Sequence, residues 1–167
     1  FTTGASGTTT VDVVTESQTQ TLTNKTLTSP VITTPTGAVA AEVVTATNVI
    51  TAAESGTTFF LASATEFVST LPAPALGLSY TFIVSAAPSG ASYTIATDSA
   101  AQVLAGHVLT SGFADSGSDV ETTATATTIT FVDGVSVVGD RAHVISDGTS
   151  WFASAICAVE AGITITG

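Results

Sequence analysis

From about Val49 onward, hydrophobic and polar residues alternate in short runs that are separated by turn residues. Alternation with a period of two predicts strands, because successive side chains of a strand point to opposite faces of its sheet. Such runs occupy 57–61, 66–71, 80–84, 92–97, 102–109, 127–132, 141–146, 150–156 and 163–165. The pattern predicts an all-β fold, either a β-sandwich or a small barrel, of about eight short antiparallel strands.

The last long pair of runs flanks the tripeptide Asp147-Gly148-Thr149. Asp-Gly between two strand-like runs indicates a tight hairpin, because glycine accepts a positive φ without steric cost. We expect Cys157, which lies inside an apolar run, to be buried as a small hydrophobic residue. Alternation also predicts the following core residues: Phe60, Phe67, Phe82, Ile95, Ile129, Phe131, Val144 and Trp151.

Residues 1–48 have a different character from residues 49–167. Their apolar residues are sparse, no aromatic residue follows Phe1, and Pro30 and Pro35 lack the N–H that a strand ladder needs. Such a segment buries too little surface to offset a backbone entropy cost of about 1–2 kcal/mol per residue. It is either a disordered tail or an extended arm that lies on a partner. Alternation of Thr with Leu and Val favours an N-terminal arm at 1–48, joined to a β-sandwich-like body at 49–167.

The charge balance excludes whole classes of partner. Lys25 and Arg141 are the only Lys or Arg residues, against 13 acidic residues, and the formal net charge is −11. Nucleic-acid binding needs Lys and Arg to replace the counterions of the phosphates, and anionic membrane surfaces attract the same residues. We therefore expect no nucleic acid and no membrane among the partners.

Residues suited to catalysis or metal binding are few. His107 and His143 are the only histidines, and each is better explained as a strand residue than as a catalytic base. One cysteine and two separated histidines make a zinc site implausible. The oxygen-rich segment 115–121 lacks the spacing of an EF-hand, which favours a solvated loop over a calcium site.

A glycosidase needs two carboxylic acids, one on either side of the bond that it cleaves. Glu54 and Glu66 flank one predicted strand, whereas Asp133, Asp140 and Asp147 lie in predicted turns, where Asp has an ordinary conformational role. The sequence therefore predicts a protein that is not an enzyme and that holds no cofactor or metal.

Two stretches carry a resemblance to a known family. Residues 20–32, Gln-Thr-Leu-Thr-Asn-Lys-Thr-Leu-Thr-Ser-Pro-Val-Ile, resemble a linker that recurs in tail-fibre and other virion proteins of tailed bacteriophages. The order of segments from residue 51 to residue 152 resembles a small β-domain of phage virion proteins. That domain ends in a Ser-Asp-Gly-Thr-x-Trp hairpin, and here the motif occupies 146–151.

The resemblance implies a virion structural protein. A head decoration (cement) protein suits the short chain best, since such proteins are commonly trimers that clamp capsid subunits with a terminal arm. The expected partners are then the major capsid protein and copies of the chain itself in a homotrimer, with a location on the capsid surface of the virion. The arm residues expected to bind the partner are Thr21, Leu22, Asn24, Lys25, Leu27, Val31 and Ile32.

Two alternatives remain open at this point. A tail-fibre or tail-adaptor segment would bind a host glycan or another tail protein, and exposed aromatic residues on the body would favour it. A bacterial surface adhesin is the third class.

Overall fold

The alternating segments form strands, and the body is all-β, as predicted. A computed structural model describes residues 40–63, 67–100, 102–110 and 120–167. These residues all fall in one unit of the chain, Gly37–Gly167. The only helical element among them is a single 3-10 turn, Ala52–Glu54.

Twelve strands build two sheets within these residues. The seven-stranded sheet contains, in spatial order, β1 (Ala41–Val44), β3 (Thr58–Leu61), β5 (Ser79–Val84), β10 (Arg141–Ser146), β11 (Trp151–Cys157), β7 (Leu104–Thr110) and β8 (Val120–Ala126). The five-stranded sheet contains, in spatial order, β12 (Ile163–Thr166), β9 (Thr128–Phe131), β6 (Tyr93–Ala96), β4 (Phe67–Thr70) and β2 (Asn48–Val49).

The first six strands form three turns of a parallel coil. The chain changes sheet after each strand, so that β1, β3 and β5 stack in parallel in one sheet. In the other sheet β2, β4 and β6 stack in parallel in the same way. A parallel pair needs a long crossover connection, and here the intervening strand of the opposite sheet supplies it.

The predicted number and direction of the strands were therefore wrong, although the all-β class is confirmed. Five of the ten pairings are parallel, in addition to the five antiparallel ones. Alternation is the same in both kinds of pair, so it does not reveal strand direction. The pattern also missed β1, which lies within the predicted arm, β2, which spans the predicted boundary between residues 48 and 49, and β8, which begins inside a segment interpreted as a loop.

The two ends of the sandwich differ in how the two sheets are connected. At one end β8 runs through Thr127 directly into β9, which carries the chain from one sheet to the other. The Thr127 N–H donates a 3.0 Å hydrogen bond to the carbonyl oxygen of Thr166 and so ties β12 to this corner. At the opposite end the sheets finish in β1 and β2, which are edge strands within the described part of the chain. Within the described residues, the parallel coil is therefore open at its first turn.

One hydrophobic core fills the space between the sheets. The Phe59 ring stacks on that of Phe82, with 5.4 Å between the ring centroids, and the Phe67 ring stacks on that of Tyr93 at 4.6 Å. Trp151 is fully buried beside Tyr80. Such aromatic contacts add to the free energy already gained by burying the rings.

The predicted core is confirmed at seven of its eight positions, and Cys157 is buried as expected. Phe60 is the exception, because Phe59 points into the core and Phe60 lies on the outer face, half-buried. Two adjacent phenylalanines satisfy either phase of the alternation equally well. The sequence pattern therefore does not decide which of them is buried.

Gly106 permits a close approach between β7 and β11. A Cβ atom at this position would lie 2.6 Å from the carbonyl oxygen of Ala153 and 2.8 Å from its Cβ atom. Both of these atoms belong to the neighbouring strand, which is held by the ladder of parallel pairs.

Replacing this glycine should strain the sheet. We expect Gly106→Ala to lower the free energy of unfolding by about 1–3 kcal/mol, as overpacking of a tight site does. Chemical denaturation followed by tryptophan fluorescence measures the effect through Trp151. Ala105→Ser, which adds one atom on the opposite face of the same strand, should change stability by less than about 0.5 kcal/mol. Equal stability of the two variants would contradict the close approach.

Candidate functional site

The arm residues predicted to bind a partner lie outside the described residues, and their role stays a prediction. They are Thr21, Leu22, Asn24, Lys25, Leu27, Val31 and Ile32. In the body, the side chains available for function are those on the outer surfaces of the two sheets and in the turns.

The outer face of the seven-stranded sheet brings both histidines into one row. His143 on β10 pairs with Ser154 on β11, and Ser154 pairs with His107 on β7. On the other side of His143, the row continues to Thr81 on β5. His143, Ser154 and His107 are exposed, because their neighbours along each strand are the ones that point into the core.

A second row lies beside the first and contains the only arginine of the chain. Arg141 is two residues from His143 on β10, so both side chains project from the same face. Arg141 pairs with Ile156, and Ile156 pairs with Leu109. The two rows line a hollow of about 370 Å³ on the outward-facing side of the seven-stranded sheet. Its lining consists of Thr81, His107, Leu109, Arg141, Ala142, His143, Ser154, Ala155 and Ile156.

The electrostatics of this face are the reverse of those of the whole chain. The lining holds one arginine and two histidines and contains no Asp or Glu, whereas the chain carries a formal charge of −11. Of the four side chains in the sequence that are able to carry a positive charge, three therefore lie on this one face. The fixed positive charge of Arg141 therefore makes this face better suited to an anion than to a cation.

Large apolar side chains are exposed around these polar groups. Ile145 and Phe152, which pair across the β10–β11 hairpin, are each 45% exposed. Leu109 is 50% exposed, and Ile156 is 36% exposed. Grouped exposed apolar residues mark interaction sites more often than single ones do. We call the surface formed by Arg141, His143, Ser154, His107, Phe152, Ile145, Ile156 and Leu109 the outer face.

The aspartates that were considered as catalytic groups have structural roles. Asp133 Oδ1 accepts a 2.8 Å hydrogen bond from the Gly90 N–H. Asp147 Oδ1 accepts from the N–H groups of Ser150 and Thr149, and these bonds hold the pKa of Asp147 below its usual value. The predicted hairpin at Asp147-Gly148 is confirmed, with Gly148 at a φ of +98°.

Asp140 joins two loops in the interior. Its side chain is 3% exposed and accepts three hydrogen bonds of 2.8–2.9 Å. Two come from the loop before β10, from the Ser136 hydroxyl and the Val137 N–H, and one comes from the Ala158 N–H after β11. All three donors lose their partner if this carboxylate is removed.

Asp140→Ala should therefore lower the free energy of unfolding by at least about 2 kcal/mol, because it leaves buried donors without a partner. Thermal or chemical denaturation measures the loss. Asp98→Ala removes the same charge from an exposed position and should change stability by less than about 0.5 kcal/mol. Similar losses in the two variants would show that charge, and not the hydrogen bonds, is responsible.

Within the described ranges, no group of three or more His, Cys, Asp or Glu side chains is arranged to hold a metal ion. In the same ranges no helix is long and apolar enough to cross a membrane. Comparison with known proteins finds no matching family model, curated protein or solved structure.

Sequence reasoning found the exposed histidines one at a time and missed their convergence. Arg141 and His143 share a face by simple alternation, and the hairpin register places Ser154 beside His143. The position of His107 depends on parallel pairing of β7 with β11, about 47 residues later in the chain. No local sequence signal specifies that long-range pairing.

Proposed function

We propose that the chain is a structural protein of a phage virion, and that it decorates the outer surface of the head. In this proposal it binds the major capsid protein and forms a homotrimer with copies of itself, and the N-terminal arm binds the capsid subunits. It stabilises the shell by adding interface and not by chemistry. Binding to a repeated lattice is multivalent, so modest contacts at each subunit add up.

The observation that carries this proposal is the open end of the parallel coil. There the edge strand β1 lies within the predicted arm and β2 spans its end, and Val43 and Val49 are 62% and 71% exposed. An unpaired strand edge is a template for pairing with another chain, and proteins commonly blunt it with charge or proline. Here β1 carries one exposed charge, Glu42, beside the exposed Val43, and the exposed residue of β2 is Val49, so this edge offers apolar side chains to a partner.

The roles of the described carboxylates support a structural function over an enzymatic one. Asp133, Asp140 and Asp147 each accept hydrogen bonds from the backbone of a turn or loop. A hydrolase would need two carboxylates held on either side of a bond with room for substrate between them.

A second candidate function is a tail-fibre or tail-adaptor segment that binds a host glycan. The exposed Phe152 ring favours it, because the apolar faces of sugar rings stack on aromatic side chains. The two candidates use different surfaces, since the first uses the arm with the open end of the coil and the second uses the outer face.

Removal of residues 1–36 tests the leading proposal, because it leaves both β1 and β2 in place. We expect the truncated chain to lose binding to undecorated heads, since most of the predicted arm has been removed. Its far-UV circular dichroism spectrum should still show a β-rich fold. Co-sedimentation with purified heads measures occupancy, and the full chain is the control. Full occupancy by the truncated chain would refute the role of the arm.

A further inference from the structure

We propose that the outer face binds a saccharide that carries a carboxylate, of the uronic acid or sialic acid type. Binding at this face does not depend on where the chain sits on a virion, so it holds or fails separately from the role in head decoration. The inference rests on the side chains that the register brings together and on their charge.

The positive charge selects an anionic group. Arg141 presents a planar guanidinium that pairs with a carboxylate through two parallel hydrogen bonds, and His143 lies next to it on the same strand. No described carboxylate competes for these groups, since the lining of the hollow contains neither Asp nor Glu. The arginine is therefore available to a ligand.

The row accommodates a ligand larger than a simple anion. Adjacent strands lie about 4.8 Å apart, so the Cα atoms of His143 and His107 are separated by about 10 Å, with Ser154 between them. A ligand that contacts both imidazoles and Ser154 can carry further hydrogen-bonding groups beside its charge.

The groups between and beside the histidines suit sugar hydroxyls. The Ser154 and Thr81 hydroxyls both donate and accept hydrogen bonds, as the hydroxyls of a sugar do. Phe152 lies two residues before Ser154 on β11 and projects from the same face, where its half-exposed ring offers an apolar surface to a pyranose. The hollow of about 370 Å³ falls within the range of small-molecule sites.

An acidic peptide is the competing ligand, and the position of the site within the sheet argues against a peptide that binds through its backbone. A peptide that pairs with a protein through its backbone uses a sheet edge, whereas this site lies on β5, β10, β11 and β7, in the interior of the seven-stranded sheet. Backbone groups of these strands are already paired with each other. Recognition here must use side chains alone.

Titration of the full chain with trigalacturonate and with 3′-sialyllactose, by calorimetry or NMR, tests the inference. We expect saturable binding of at least one of them, and no binding of trigalacturonate methyl ester or of lactose, which lack the charge. Failure of both acidic saccharides to bind would overturn the proposal. Equal binding of the methyl ester would also overturn it, and so would tighter binding of an oligoglutamate peptide, which would assign the face to acidic peptides.

Matched variants locate the site. Arg141→Gln and Phe152→Ala should each weaken binding at least tenfold, and both positions are exposed, so the fold should be kept. Val138→Ala, which trims an exposed apolar residue of the turn before β10, is the control. Equal weakening by this control would show binding through general hydrophobicity, and would refute the site.

Discussion

The burial of one continuous apolar layer between the two sheets is the interaction on which the rest of the body depends. The chain is poor in charged residues, and its fully buried aromatic rings and its buried Leu and Ile side chains supply much of the area removed from water. Because that layer fixes which face of each strand points inward, it also fixes which side chains remain outside. The grouping of His143, His107 and Arg141 on the outer face is a consequence of this division.

The two ends of the sandwich are the β8–β9 corner and the first turn of the parallel coil, and they differ in how the sheets finish. At the corner β8 continues into β9, and Thr127 is hydrogen-bonded to the last strand, so the sheets are joined there. At the first turn of the coil, β1 and β2 finish the two sheets without such a junction in the described residues. Assembly through the open end would leave the outer face free for a second partner. The two proposals are therefore compatible in space.

Part of this organisation was predictable from the sequence because it is local. Alternation identifies β10 and β11, and Asp147-Gly148 specifies the hairpin between them, since each signal lies within a few residues. The buried face of β3 was not predictable, because Phe59 and Phe60 fit either phase. The parallel pairing of β7 with β11 depends on contacts distant in sequence. This pairing brings His107 close to Arg141 and His143. The sequence therefore shows each residue of the candidate site but does not show that they lie together.

Thr has two roles in this chain. In the body it occupies half-buried strand positions such as Thr81, Thr94 and Thr130, where a β-branched side chain packs on a pleated surface. In the segment proposed as an arm it alternates with Leu and Val and has no aromatic residue to pack on. The scarcity of apolar residues in this segment is the sequence feature on which the proposal of a partner rests. It does not depend on any property of the outer face.

Electron cryomicroscopy of intact virions tests the central claim most directly, because it locates the chain and orients its body in one measurement. The proposed decoration role predicts all-β density on the outer surface of the head, with the open end of the coil, β1 and β2, toward the shell and the outer face toward the medium. Density on the tail, or a body attached to the head through β10 and β11, would contradict it.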